Sequence, residues 1–316
     1  MNKIAFIFPG QGAQSTGMGL DLFENFASAK NVFSKADMVL KKNVSKMCFE
    51  GPDEVLKLTT NTQSCLLAVS IAALEAFKEV SGGKIKADYA LGHSLGEYSA
   101  MYASGVMDLD NILLAIQKRA DLMQEACESS KAGAMSAILG LSEEKIKECI
   151  KQASSKGLVS IANYNEPNQI VITGEKDAVD YANDLIKEAG AKRVVPLAVS
   201  GGFHSELMRS AGEKFKDFLT TLKINNANIP VVTNVDSELT LNAEDFIKKM
   251  PEQIYSSVYW MQSIKKLLEL GVDTFVEFGN GKVLSGLNRK ICPPDVKTYN
   301  VSDAASLRLT LEALSA

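Results

Sequence analysis

Short runs rich in β-branched and aromatic residues alternate along this chain with longer stretches of helical period, and that alternation limits the fold more than any single motif does. Residues 4–8, 89–92, 230–235, 274–278 and 297–301 read as strands. Residues 62–79, 111–126 and 283–290 read as helices, and a further helix opens at Leu95. Strands that alternate with helices build a mostly parallel sheet covered on both faces.

One block breaks the alternation. Residues 134–139, 158–162, 169–173 and 193–197 read as strands. A helix follows Ser142, with Glu143 and Glu144 favourable in its first turn, and runs to about Ser154. A second spans residues 176–188 and stops at Gly190. Asn165 and Pro167 sit in the turn between the middle strands. The order βαββαβ is the split pattern of a ferredoxin-like domain. Gly133 and the pair Gly201-Gly202 flank it as hinge-like joints. The expected fold is therefore α/β. Residues 1–130 and 199–316 form the main domain, residues 131–198 form an inserted ferredoxin-like domain, and a ligand cleft lies between them.

The remaining bulk properties exclude more than they assign. With 46% hydrophobic and 23% charged residues, 316 residues suffice for a large globular core. A net charge of -4 supplies no overall basic field, so neither nucleic acid nor a membrane surface is an expected partner. An anionic partner must meet a local basic patch. Five widely spaced cysteines without a CxxC pair argue against a disulfide framework or a metal site and for a reducing, cytoplasmic setting. The N-terminus enters an apolar strand without the layout of a signal peptide. The longest apolar stretch, residues 66–77, carries Ser70 and Glu75 and is too short to span a bilayer.

Chemistry is constrained by scarcity, because only His93 and His204 are available as an imidazole base. Gly92-His93-Ser94-Leu95-Gly96 matches G-x-S-x-G, which sets a serine on a tight strand-to-helix turn. Three common residues at fixed spacing arise by chance in roughly one chain in ten of this length. The flanking strand and helix add weight, and the competing reading is a serine that caps a helix. His93 adjoins Ser94, and side chains adjacent at such a bend diverge, so His93 is assigned to the pocket wall. His204, in a glycine-rich loop after a strand, is left as the base, against the competing reading of a histidine satisfied within its loop.

The loop from Pro9 to Gly19 fails both phosphate motifs: Ser15 replaces the third glycine of G-x-G-x-x-G, and Met18 replaces the P-loop lysine. It can instead offer a backbone N–H that, with that of Leu95, forms an oxyanion hole. Arg119 falls in an apolar helical stripe with Ile112, Ile116, Met123 and Ala126. Its guanidinium must snorkel out to solvent or find an anion, either an internal Asp or Glu or a carboxylate on the substrate.

Over nearly its whole length the sequence resembles the malonyl-CoA:acyl carrier protein transacylases. The likeness rests on Phe8-Pro9-Gly10-Gln11-Gly12-Ala13-Gln14, Gly92-His93-Ser94-Leu95-Gly96-Glu97-Tyr98, Gln117-Lys118-Arg119, Ala162-Asn163-Tyr164-Asn165, Phe203-His204-Ser205, Gln253 ahead of Trp260, and Glu277-Phe278-Gly279-Asn280-Gly281-Lys282-Val283-Leu284. The resemblance implies an α/β-hydrolase-like main domain. It implies that Ser94 takes malonyl from malonyl-CoA and passes it to the phosphopantetheine thiol of acyl carrier protein, with no cofactor beyond the CoA thioester substrate. His204 would be base and then acid, oriented by the backbone carbonyl of Gln253. The amides of Gln11 and Leu95 would bind the oxyanion, and Arg119 the malonyl carboxylate. Asn163, Met123, Val283, His93 and Gln63 would line the pocket, and the Phe203 ring would crowd a methyl on the malonyl α-carbon. Arg289 and Lys290 would dock the acidic carrier protein, and the family is usually monomeric. Two rivals stay open. One is a thioesterase using the same Ser94 and His204, for which Asp177 preserves the order Ser…Asp…His. The other is a binding module whose serine turn is structural.

Overall fold

The computed structural model describes residues 3–129, 132–199 and 201–315. The domain limits expected at residues 1, 130, 131 and 316 lie outside the described residues. Among the described residues ten strands are formed: β1 (Lys3–Phe8), β2 (Tyr89–Gly92), β3 (Gly133–Leu139), β4 (Val159–Glu166), β5 (Gln169–Glu175), β6 (Arg193–Pro196), β7 (Val231–Val232), β8 (Leu239–Thr240), β9 (Val272–Phe278) and β10 (Lys297–Val301). Six of them make one sheet in the order β10-β9-β1-β2-β7-β8, parallel throughout except for the antiparallel β7–β8 pair.

The alternation along β1 shows why this sheet is internal. Phe6 and Phe8 enter one apolar cluster, and Ala5 and Ile7 enter the other. On the first face Phe6, Phe77 and Phe278 pack edge to face, with ring centroids 4.8–6.0 Å apart. Phe77 belongs to the helix Thr59–Ser81, which is buried along most of its length. On the second face Trp260, Ile264 and Leu267 of the helix Trp260–Glu269 cover Ala5, Ile7 and Leu91.

The other four strands form an antiparallel sheet in the order β4-β5-β3-β6. The chain order through it is βαββαβ, with helices Glu143–Ala153 and Lys176–Glu188. Ile138, Ile161 and Ile172 pack under those helices against Ile146, Val179 and Ile186. Met135, Ala162 and Val171 belong instead to the core of the main sheet, so the opposite face of this smaller sheet turns toward the rest of the molecule.

The joints are tight. A Cβ on Gly133 would lie 2.1 Å from the Gly202 nitrogen, so the outgoing and returning segments touch where only glycine fits. Hinge-like freedom is nevertheless restricted. Tyr164 N–H donates to the Val258 carbonyl (2.9 Å) and Val258 N–H to that of Ala162 (2.8 Å), so β4 is pinned to the chain just ahead of Trp260.

Two strand ends differ from expectation by more than two residues. The strand expected over 230–235 shortens to Val231–Val232, because Thr233 bonds Asp236 (2.7 Å) and the chain reverses through Ser237 at φ 60° into β8. The strand expected to end at Ala162 continues to Glu166. Two register shifts let it stay paired with β5, and Asn165 is strand rather than turn.

Candidate active site

Ser94 occupies the turn between β2 and the helix Gly96–Ala103, with φ 52°. A Cβ-bearing residue there carries about 1–3 kcal/mol of strain, so the surroundings must enforce it. A Cβ on Gly92 would lie 1.9 Å from the Gly96 carbonyl carbon, and one on Gly96 would lie 2.1 Å from the Phe8 oxygen. Both glycines of the motif are thus demanded by the crossing of strand and helix beside β1. Ser94 N–H donates to Asn234 Oδ1 (2.7 Å), and the Gln253 amide donates to the Ser94 carbonyl (2.8 Å). The Ser94 side chain makes no helix cap. Its Oγ stands 2.8 Å from His204 Nε2.

His204 is also left-handed, at φ 58°, and is buried. Its Nδ1 faces the carbonyls of Gln253 (3.0 Å) and Ser256 (3.1 Å). Carbonyls only accept, so Nδ1 carries the proton and Nε2 is the acceptor for the Ser94 hydroxyl. Gln253 lies in the last turn of the helix Ala243–Tyr255 and Ser256 caps it, and the last carbonyls of a helix have no partner within it, which leaves them free for this ring. Burial, and next the Arg119 cation beside it, pushes the His204 pKa down to about 3. A neutral imidazole in contact with a hydroxyl can take up its proton near pH 7. Asp177 is exposed on its helix and does not complete a triad.

His93 turns away from the serine. Its Nε2–H donates to Asn165 Oδ1 (2.9 Å), and its ring packs by Trp260 at 5.8 Å between centroids. Arg119 is 1% exposed and reaches only neutral acceptors: Gln63 Oε1 (2.6 Å), Ser94 Oγ (3.1 Å) and Gln253 Oε1 (3.0 Å). Tyr98 lies under the guanidinium, 5.6 Å from ring centroid to Cζ. Nε has no partner, and among the described residues no carboxylate forms an ion pair with Arg119. The buried Glu97 acts on Arg119 through its charge without pairing directly, so the hydrogen bonds of the guanidinium all go to neutral groups.

Ser94, His204, Arg119, Gln11, Leu95, Gln63, Met123, Asn163 and Phe203 line one cavity of about 110 Å³, walled by Met135, Leu197 and Val199. Gln63 also touches Met123 Sδ (3.5 Å), and the Phe203 carbonyl accepts from Thr173 (2.7 Å). The backbone N–H groups of Gln11 and Leu95 donate to no protein acceptor among the described residues. Val283 stands apart, 50% exposed at the edge of an adjoining depression that shares Gln11, His93 and Asn163 with the cavity. Arg289 and Lys290 diverge at the end of the helix Val283–Ile291. Lys290 pairs with the buried carboxylate of Glu166 on β4 (2.9 Å), whereas Arg289 lies in a surface depression with Lys282 and Tyr299.

Sequence reasoning missed several members of this network. Ser256 and Asn234 carried no motif. Glu97 stood inside the quoted Gly-His-Ser run but was given no role. It is 1% exposed, accepts from Asn234 N–H (2.6 Å), and burial raises its pKa to about 7.

The family model described as acyl transferase domain matches residues 5–285. The malonyl CoA-acyl carrier protein transacylase of Bacillus subtilis is 46% identical, over 99% of this chain and 98% of that protein. Its namesake in Haemophilus influenzae is 39% identical, over 99% and 100%. A crystal structure of an acyl carrier protein S-malonyltransferase from Vibrio cholerae aligns with a TM-score of 0.93 at 38% identity, covering 98% and 100%. A malonyl-transacylase in complex with a type II PKS acyl-carrier protein aligns with a TM-score of 0.94 at 38% identity, covering 99% and 100%. A likeness of this extent in both sequence and fold places the chain in the acyl transferase domain family, among the malonyl CoA-acyl carrier protein transacylases.

Proposed function

We propose that this protein transfers a malonyl group from malonyl-CoA to the phosphopantetheine thiol of acyl carrier protein through an ester on Ser94. The observation that carries the proposal is one cavity holding a Ser94–His204 contact of 2.8 Å and a buried arginine whose hydrogen bonds go to neutral acceptors alone. His204 Nε2 takes the Ser94 proton as Oγ attacks the thioester carbonyl. The tetrahedral oxyanion lies between the N–H groups of Gln11 and Leu95. Its collapse expels the CoA sulfur, which receives the proton from His204. In the second half His204 deprotonates the pantetheine thiol, the thiol attacks the ester, and the proton returns to Ser94. Arg119 holds the free malonyl carboxylate, gaining a charged acceptor where it now has amide and hydroxyl oxygens, a change worth about 1.5–3 kcal/mol. The cycle consumes no cofactor.

The finer architecture supports the same reading. The strand order β4-β5-β3-β6 with two helices supports a ferredoxin-like unit over residues 131–198. It is inserted in an α/β-hydrolase-like domain formed by residues 1–130 and 199–316. Met123, Asn163, Gln63 and Phe203 shape the acyl pocket, and His93 and Val283 flank the way in. Five widely spaced cysteines without a CxxC pair fit the cytoplasm, and a monomer suffices because one chain supplies every group named. Among the described residues no helix is long and apolar enough to cross a membrane.

Carrier-protein docking needs a positive patch on an acidic chain. The Lys290–Glu166 pair commits one of the two expected cations to holding the inserted unit, so Arg289 is the better probe. Arg289→Glu is expected to raise KM for carrier protein and leave transfer to free pantetheine unchanged; equal effects on both would remove it from docking. The activity itself is tested by following CoA release and malonyl-thioester formation with and without pantetheine. Transfer is expected to outrun hydrolysis. Release that ignores the thiol and yields free malonate would favour the thioesterase reading instead.

A further inference from the structure

The turn that carries Ser94 is gripped by one side chain from a distant segment. Asn234 Oδ1 accepts the Ser94 N–H (2.7 Å), and its Nδ2 donates to the Gly92 carbonyl (2.7 Å), so a single amide spans both limbs of the turn. Asn234 is itself fixed through its backbone, whose N–H donates to Glu97 Oε2 (2.6 Å). Glu97 lies in the first turn of the helix that the Ser94 turn begins. The bonds therefore close a ring between residues 92–97 and a residue 137 to 142 positions later. Asn234 and Glu97 are each 1% exposed. Water cannot replace these bonds, and their geometry is set by the protein alone. The groups held are those of the nucleophile's own backbone, in a conformation that a residue with a side chain rarely adopts. Release of the turn moves two reacting groups together, the Ser94 hydroxyl and the Leu95 N–H.

We propose that Asn234, braced by Glu97, is a positioning residue that holds Ser94 in its reactive backbone conformation. The inference rests on Ser94 being the nucleophile. The test is the rate at which a fluorophosphonate phosphonylates Ser94, because that reaction needs an activated serine and oxyanion donors but neither CoA, malonyl nor carrier protein. Rates are normalised to the folded fraction measured by near-UV circular dichroism. Asn234→Ala is expected to react about 100-fold more slowly, the cost of a small misplacement of reacting groups. Glu97→Ala is expected to lose about tenfold. Glu97→Gln keeps an oxygen for the Asn234 N–H and is expected to stay within about threefold of the wild type. Labelling of folded Asn234→Ala at the wild-type rate overturns the proposal. If Asn234→Ala does not fold, the Glu97 pair decides: a slow Ala variant restored by Gln supports the brace, and equal rates overturn it. A wild type that the probe does not label at Ser94 sinks the nucleophile and the clamp together. The expected pattern of labelling without malonyl loading would sink only the substrate assignment.

Discussion

The parallel sheet and the antiparallel sheet border the same cavity with different materials. From the parallel side come Ser94, Leu95, Gln11 and Arg119, embedded among polar partners such as Asn234, Gln253, Gln63 and Glu97. From the antiparallel side come Met135, Leu197, Val199 and Asn163, three of them apolar. His204 and Phe203 sit where the chain returns from the smaller unit to the larger one. Buried polar groups are costly unless each finds its partners, so the first side tolerates little change. An apolar wall requires only shape and can vary more cheaply. On the proposed reading the contrast assigns turnover and anchoring of the malonyl carboxylate to one side and the shape of the wall around the acyl group to the other.

The largest expected effect lies at the junction. His204→Ala should lower the rate of malonyl loading by roughly 10²–10⁴, as loss of a general base does, with KM for malonyl-CoA little changed. Met135→Ala on the opposite wall should act mainly on KM. Comparable losses of kcat in stopped-flow loading assays of the two variants would erase the division. Next in size is Arg119→Ala, which should cost malonyl transfer roughly 2–5 kcal/mol while acetyl transfer falls much less, since acetyl has no second carboxylate. Equal losses would make Arg119 a structural cation. Phe203→Ser should shift the methylmalonyl-to-malonyl ratio of kcat/KM upward by about tenfold, the scale of one methyl in an apolar pocket. An unchanged ratio in competition assays would remove the ring from selection.

Two titrating groups sharpen the comparison through stability. The folded protein keeps His204 neutral, so its contribution is full above the ordinary pKa of about 6.5 and fades as pH falls toward 3. Glu97 has the opposite sign. Its contribution is full below 4.5 and is lost as pH rises through about 7. Relative to the wild type, His204→Ala should therefore gain Tm as pH drops from 7 to 4, and Glu97→Gln should gain Tm as pH climbs from 5 to 8, each by a few degrees at most. Parallel melting curves across pH would contradict both assignments.

What the sequence disclosed follows the same physical divide. The strands of the parallel sheet were legible because burial on both faces makes them short apolar runs, and the smaller unit because its period switches between 2 and 3.6 within 70 residues or so. Helices Ala27–Leu40, Arg209–Leu219 and Ala304–Ser315 went unread. Between clear strands, helical segments without an apolar run to draw attention leave little trace. Ser94, His204 and Arg119 were found by a motif, by scarcity and by a charge inside an apolar stripe. Asn234 offered none of these. Its role follows from a chain reversal at Thr233–Ser237 that read as continued strand, and contacts across 140 residues have no local signature. The divergence of Arg289 and Lys290 was equally hidden, because it depends on where Glu166 emerges from a strand that ran four residues longer than expected.

The central claim is that acyl transfer passes through Ser94, and intact-mass measurement after mixing with malonyl-CoA tests it most directly. The wild type should gain the mass of one malonyl group, mapped to the peptide containing Ser94 and discharged by added pantetheine thiol. Ser94→Ala should gain nothing. An adduct of undiminished amount on Ser94→Ala, or a wild type that turns over without any adduct, would contradict the account.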